Sequence, residues 1–359
     1  MVVASSNMNQ LKTDELDRAA QAPPTREDTP LTLDELTAEL TRRLAQPNGN
    51  RKIVYDQPCD NGTNLAACVD PLCQHHLSSN PRETVKKITQ SSDLTLDPHQ
   101  RRAILSLGNA IPDSDVIVAS AVSSNHFDEM QAMFESLHKT VYPLLEQRIE
   151  DTKRDLKLLQ QQNKVGIQNY TVALFDIGLT PEQRRLAASH RARKLVVWQD
   201  ASVRWFSSGF LDSLDTAYSS GHQLLRYLDS DRIPAVTVSE MFEYMGETSC
   251  SYLPYPELQA NLHIHRTDDK FNRQMLFEPW ARCALEEKCM CPRPPITMLV
   301  WGYGSPGNCH RFDQSAFSIL LSRIYQEKLY KVMFQEFAFS QEKGFRVSRG
   351  HKNKYYFKP

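Results

Sequence analysis

The sequence predicts an α/β protein with a mainly parallel sheet, and three observations carry that prediction. Short apolar runs of strand length recur at Asp115 to Val122, Tyr170 to Asp176 and Lys194 to Trp198. Each ends in a polar turn: Ser123-Ser124-Asn125-His126, Asp176 to Thr180, and Asp200-Ala201-Ser202-Val203-Arg204. Helical patterns fill the intervals, and strand, helix, strand, helix, strand is the order of a parallel sheet with right-handed crossovers.

Residues 1–50 are polar, and Ala22-Pro23-Pro24-Thr25 and Gln46-Pro47-Asn48-Gly49-Asn50 break any regular structure, so the sequence predicts a disordered arm. One amphipathic helix interrupts it, over Thr32 to Leu44, with Leu33, Leu36, Leu40 and Leu44 on one face and Thr32 as N-cap. Residues 51–110 read as an irregular segment holding Cys59, Cys68 and Cys73. Cys68-x4-Cys73 followed by His75-His76 raises zinc, but the spacing is not that of a finger, and a loop held by a disulfide is the plainer expectation.

The α/β domain is placed at 111–330. After the first strand, Phe127 to Tyr142 sets Met130, Met133, Phe134, Leu137 and Val141 on one helical face, and Leu144 to Gln162 continues as a second, partly exposed helix. Thr180 caps and Pro181 begins a short helix before the third strand. Past Phe206 the pattern predicts a partial helix over Gly209 to Tyr227, a strand over Ala235 to Val238 and a helix over Arg273 to Leu285. Cys309 to Ser315 opens an amphipathic helix, Ala316 to Tyr330, and residues 331–359 form a tail whose basic, aromatic end is expected on the surface.

Lys+Arg 42 against Asp+Glu 43 gives a net charge of -1, which excludes a global attraction to nucleic acid or anionic membrane. A small molecule or another protein is the expected partner. No apolar run reaches the roughly 18 residues of a membrane span, and Met1 to Asn7 lacks the basic-then-apolar order of a secretory signal. Taken alone, that predicts a chain with no membrane segment, cytoplasmic or lacking an anchor in this form. Eight cysteines point the other way: Cys283, Cys289, Cys291 and Cys309 cluster as local cross-links of an oxidising compartment do, with Cys250 apart. Asn61-Gly62-Thr63 and Asn169-Tyr170-Thr171 also fit the N-glycosylation pattern.

In a parallel sheet the three polar turns share one edge and make one composite site. None carries a Gly-x-Gly-x-x-Gly, a Gly-x4-Gly-Lys or a Gly-x-Ser-x-Gly pattern, against a dinucleotide fold, a P-loop and an α/β-hydrolase. Asp200 with Ser202 supplies oxygen ligands suited to Mg²⁺ or Mn²⁺, although Asp200 equally suits a strand-end cap or an ion pair with Arg204. His310, Arg311, Asp313 and Gln314 gather a metal ligand, a guanidinium suited to a diphosphate, and an acid beside an amide. The bland alternative is that Asp313 caps the helix it begins.

Five segments occur in one order: Ser120 to Phe127 (SAVSSNHF), Phe175 to Leu179 (FDIGL), Trp198 to Trp205 (WQDASVRW), Cys283 to Pro292 (CALEEKCMCP) and His310 to Ile319 (HRFDQSAFSI). Over roughly 111–330 this resembles an invertebrate, largely nematode family similar to the nucleotide-diphospho-sugar transferases of the glycosyltransferase-A fold. The resemblance implies a Rossmann-like, mainly parallel sheet, a nucleotide-sugar donor, a glycan or protein acceptor, and the lumen of the Golgi. Ser123, Ser124, Asn125 and His126 would face the nucleotide. Asp200 and Ser202 stand where such enzymes carry Asp-x-Asp for a divalent ion, Mn or Mg; His310 would complete the metal shell, Arg311 would meet the diphosphate, and Asp313 with Gln314 would hold the acceptor or act as base. Two departures stand out: Ser202 replaces the second acid, and only about 20 residues separate Leu179 from Asp200, where the family has a longer insert with a further strand. A non-catalytic relative binding a glycan or a protein is the alternative.

Overall fold

The computed structural model describes residues 2–5, 29–45, 59, 68, 73, 77–109, 113–122, 124–176, 180, 183, 195–199, 203–205, 209–224, 227–293, 310–332, 345–347 and 352. The fold is mixed α/β, centred on a six-stranded sheet. Its strands are β1 (Val2–Ser5), β2 (Val116–Val122), β3 (Tyr170–Asp176), β4 (Leu195–Gln199), β6 (His222–Leu224) and β9 (Leu262–Arg266), in the order β1-β3-β2-β4-β9-β6. The pairs β1/β3, β3/β2 and β2/β4 are parallel; β4/β9 and β9/β6 are antiparallel. Two small antiparallel ladders stand beside it, β5 (Val203–Trp205) with β10 (Phe345–Val347), and β7 (Tyr227–Arg232) with β8 (Pro256–Leu258).

Three helices precede or flank the first sheet crossover, α1 (Leu33–Ala45), α2 (Pro81–Thr89) and α3 (Pro98–Asn109). α4 (Phe127–Ser136) passes through a π-helical turn, Leu137–Val141, into α5 (Tyr142–Gln161). α6 (Gly209–Ser220) and α7 (Ser239–Tyr244) follow. α8 (Lys270–Asn272), a second π-turn (Arg273–Phe277) and α9 (Glu278–Ala284) run on end to end, before α10 (Glu287–Met290) and α11 (Phe312–Tyr325).

Period-two alternation in the sheet feeds two separate cores. Val116, Val118, Val172, Leu174 and Val197 join Met130, Met133, Phe134, Leu137 and Leu145 of the α4–α5 face in one of them. On β9, Leu262 and Ile264 belong to that core, whereas His263 and His265 turn to the opposite face and meet Phe317 of α11. There a second core gathers Leu36 and Leu40 of α1, Val85 and Ile88 of α2, and Phe317, Leu320, Leu321 and Ile324 of α11.

Several elements differ from their sequence expectation for identifiable reasons. Two pieces of the expected N-terminal arm are built into the fold: Val2–Ser5 extends the sheet beside β3, and the leucine face of α1 is buried. Thr32 caps α1 in a reciprocal box, its hydroxyl accepting from Glu35 N–H at 3.3 Å while the Glu35 carboxylate accepts from Thr32 N–H at 2.7 Å. Arg43, at the far end of α1, then pairs with Glu39 and Asp269, which ties the helix to α8. The expected strand over Ala235 to Val238 is absent: Ala235 ends a 3₁₀ turn, Ile233–Ala235, the Val236 N–H donates back to Ile233 C=O, and Val236 C=O accepts from the Ser315 hydroxyl instead of a ladder partner. Phe345, which directly precedes the stretch expected on the surface, is buried against Trp205, and Lys352 within that stretch is exposed. The zinc reading of Cys68 and Cys73 is replaced by disulfides, Cys59–Cys68 and Cys73–Cys250, and Cys283 pairs with Cys289. The helix expected after Pro181 lies outside the described residues except for Gln183.

No helix among the described residues is long and apolar enough to cross a membrane.

Candidate functional site

The chain leaves β2 for β3 on one side, then crosses to β4 on the other side of β2. Such a reversal opens a crevice beyond the carboxyl ends of the two central strands, where open α/β sheets bind ligands. In this sheet those ends are Val122 of β2 and Gln199 of β4.

Ser124, Asn125 and His126 form an exposed 3₁₀ turn between β2 and α4. Ser123, which precedes it, lies outside the described residues. His126 Nδ1 stands 3.9 Å from the Glu129 carboxylate. Gln183, beyond the turn after β3, touches this one: its amide donates to Ser124 C=O at 3.4 Å, and Gln183 and Thr180 exchange hydrogen bonds, Gln183 N–H to the Thr180 hydroxyl and Thr180 N–H to the Gln183 side-chain oxygen.

Asp200 and Ser202 lie outside the described residues, but both ends of their segment are held. Gln199 is fully buried at the end of β4, and its Oε1 accepts from Trp205 Nε1 of β5 at 2.9 Å. Arg204 donates to the Glu129 C=O in the first turn of α4 at 3.1 Å. The residues on either side of that segment are therefore held, Gln199 by Trp205 and Arg204 by the helix that follows the Ser124 turn. Sequence reasoning weighed Arg204 as an ion-pair partner for Asp200 and passed over Gln199 and Trp205; a glutamine inside an apolar strand, six residues from a tryptophan, was the available signal.

Trp205 also packs edge-on against Phe210 at 4.8 Å between centroids. Because the Gln199 Nε2 has no partner, Trp205→Phe would leave both ends of a buried amide unsatisfied. A loss of about 2 kcal/mol in urea unfolding is expected for this variant, partly recovered on adding Gln199→Met, since removing both polar partners is far less costly than removing one. Equal stability of wild type and the single variant would show that the hydrogen bond does not hold the loop.

α11 approaches the same edge. Its Phe317 stacks on His263 at 4.5 Å, and His263 is in register with Trp198 near the end of β4. Its Tyr325 meets His222 at 6.0 Å, and His222 is in register with His265, which pairs with Val196. The helix therefore runs from the Gln199 end of β4 towards the Leu195 end. At a rise of ~1.5 Å per residue, Asp313 lies about 6 Å before Phe317 along the axis of α11.

At that end the residues diverge in role. Asp313 keeps a solvent-facing side, but the protein packed around its carboxyl raises its pKa above the ordinary aspartate range, against the backbone N–H groups of Gln314 and Asp313 itself that lower it. Its backbone C=O accepts from Trp280 Nε1 at 3.1 Å. The Gln314 amide is turned into the fold and donates to Leu258 C=O of β8 at 2.6 Å. Arg311 is half-buried, and Phe312 beside it has a φ of 47°, a left-handed conformation uncommon for a bulky residue.

His310 is fully buried, and burial holds its pKa down at about 4. Its Nε2 meets the Met290 C=O at 3.1 Å and its Nδ1 has no partner. The neutral ring with its proton on Nε2 satisfies that contact and leaves the Nδ1 lone pair unused. A metal-binding imidazole is fixed in this way, its other N–H given to a backbone carbonyl. The single residue fits a metal shell, while the described residues hold no group of three or more histidine, cysteine or carboxylate side chains placed to bind an ion.

No protein-family model, no curated protein and no solved structure matches the chain.

Proposed function

We propose that the protein is a sugar transferase of the secretory pathway that binds a nucleoside-diphosphate sugar in the crevice beyond β2 and β4. The observation that supports this best is the reversal of strand order at β2, with the exposed Ser124 to His126 turn following β2 and Gln199 ending β4. On this reading the sheet is of the Rossmann-like glycosyltransferase-A type, and its three disulfides belong to an oxidising lumen such as the Golgi.

Ser123, Ser124, Asn125 and His126 would contact the nucleotide, and Arg311 would neutralise the departing diphosphate. Asp200, Ser202 and the Nδ1 of His310 would hold a divalent ion, Mn²⁺ or Mg²⁺, which when bound supplies charge stabilisation to the diphosphate. Asp313, whose raised pKa brings its proton affinity nearer to neutral pH, would take the proton of an acceptor hydroxyl as it attacks the sugar. Gln314 then has a positioning part, since its amide is already committed to Leu258.

That commitment favours a second reading, in which the fold is kept by a non-catalytic relative that binds a glycan or protein acceptor. Calorimetric titration of the full chain with UDP and GDP, each with and without Mn²⁺, separates the two. Metal-dependent binding that Asp200→Ala abolishes supports the transferase, and Asp313→Asn should then keep nucleotide affinity while losing transfer. A folded chain that binds neither nucleotide sinks it.

A further inference from the structure

We infer that Asn169 carries an N-linked glycan, attached before β3 joins the sheet. Asn169 is exposed at the loop that leads into β3, and Tyr170 and Thr171 complete the acceptor triplet. Thr171 is the informative residue. It is fully buried in β3, paired in register with Ile117, and its hydroxyl has no hydrogen-bond partner. An unsatisfied buried hydroxyl destabilises a strand, and valine, of nearly the same shape, would avoid that cost. No described protein group pairs with this hydroxyl, whereas an acceptor triplet requires a hydroxyl two residues after the asparagine.

The same burial sets the order of events. The Thr171 side chain is fully buried in the folded protein, so the triplet is recognisable only before the segment is packed into the sheet. In the transfer, the Asn169 Nδ2 attacks C1 of an oligosaccharide carried on a lipid diphosphate. The N–C bond forms as the C1–O bond to the diphosphate breaks, the lipid diphosphate leaves with the electron pair, and a base of the transferring enzyme takes one amide proton. Three disulfides are consistent with passage through the compartment where that donor is found. The triplet at Asn61 lies outside the described residues.

The test uses the full chain recovered from the cells that make it, treated with a peptide N-glycosidase in ¹⁸O-water. Asn169 is expected as ¹⁸O-labelled aspartate, lost in Asn169→Gln and in Thr171→Val but kept in Thr171→Ser. Urea unfolding of Asn169→Gln against Asn169→Gln with Thr171→Val, neither of which carries the glycan, should show the Thr171→Val chain favoured about fivefold or more in its folding equilibrium. An unlabelled Asn169 overturns the inference, and so does a Thr171→Val chain less stable than Asn169→Gln alone, since the hydroxyl would then serve the fold. Neither outcome depends on whether the crevice binds a nucleotide.

Discussion

Acidification from pH 7 to about 4.5 is expected to unfold the protein in one steep step, because three buried histidines must stay neutral in the fold. His222, His263 and His265 are all but fully buried on β6 and β9. Burial pulls the pKa of His263 down to about 3 and those of His222 and His265 well below the ordinary value of 6.5. His222 also feels the Arg43 guanidinium, which Glu39 and Asp269 hold in place, and His265 feels both other imidazoles. His222 Nδ1 and His265 Nδ1 stand 2.9 Å apart, so one must donate and the other accept. Protonating both rings would set two donors face to face.

The sign follows from which state binds more protons. In the unfolded chain these rings titrate near 6.5, so their contribution is fully present above that pH and is lost as pH falls below it. With three extra protons taken up on unfolding, the slope approaches ~4 kcal/mol per pH unit. A net stability of about 5–15 kcal/mol is then exhausted within a few units of 6.5. Urea midpoints at pH 7, 6 and 5 measure the slope, and His263→Phe, which keeps a ring against Phe317, should flatten it by about a third. A stability that does not change across that range would mean that these rings are solvated in the native protein.

How much of this was readable in advance follows from what each signal reports. The strands β2, β3 and β4 were legible because a strand buried on both faces is a continuous apolar run, and the chain supplies three of them. The exposed Ser124 to His126 turn was legible for the same reason, as the place where such a run stops. β9 was not, because Leu262-His263-Ile264-His265 alternates like a half-exposed strand, whereas both faces are buried and the histidines are kept neutral by burial. β1 and β10 are short segments that acquire strand character only from distant partners, Ala173 to Asp176 and Val203 to Trp205, and local pattern carries no such information. In the candidate site, Asp313 was visible as an acid at a helix start. That Gln314 would be drawn inward to Leu258, and that Gln199 and Trp205 would pin the Asp200 segment, depended on pairings across the fold.

Loss of the Cys73–Cys250 bridge is expected to destabilise the protein more than loss of either other disulfide. It spans 177 residues, against 9 for Cys59–Cys68 and 6 for Cys283–Cys289. In the chain-entropy account a loop of that length is worth about 5 kcal/mol, and the Cys283–Cys289 loop about 2. Cys73→Ser with Cys250→Ser should therefore lower the unfolding free energy by about 5 kcal/mol, and Cys283→Ser with Cys289→Ser by about 2, in denaturant titrations of the full chain. The closed loop contains β2, β3, β4 and the Ser124 turn, so every strand that frames the crevice lies between the bridged residues. A further consequence separates this effect from simple loss of packing. The bridge acts mainly on the unfolded chain, so the double serine variant should keep the same folded spectrum at low temperature while failing first on heating. Equal losses from the long and the short bridge would show that local packing around Cys250 and Leu253, rather than loop closure, is what the disulfide supplies.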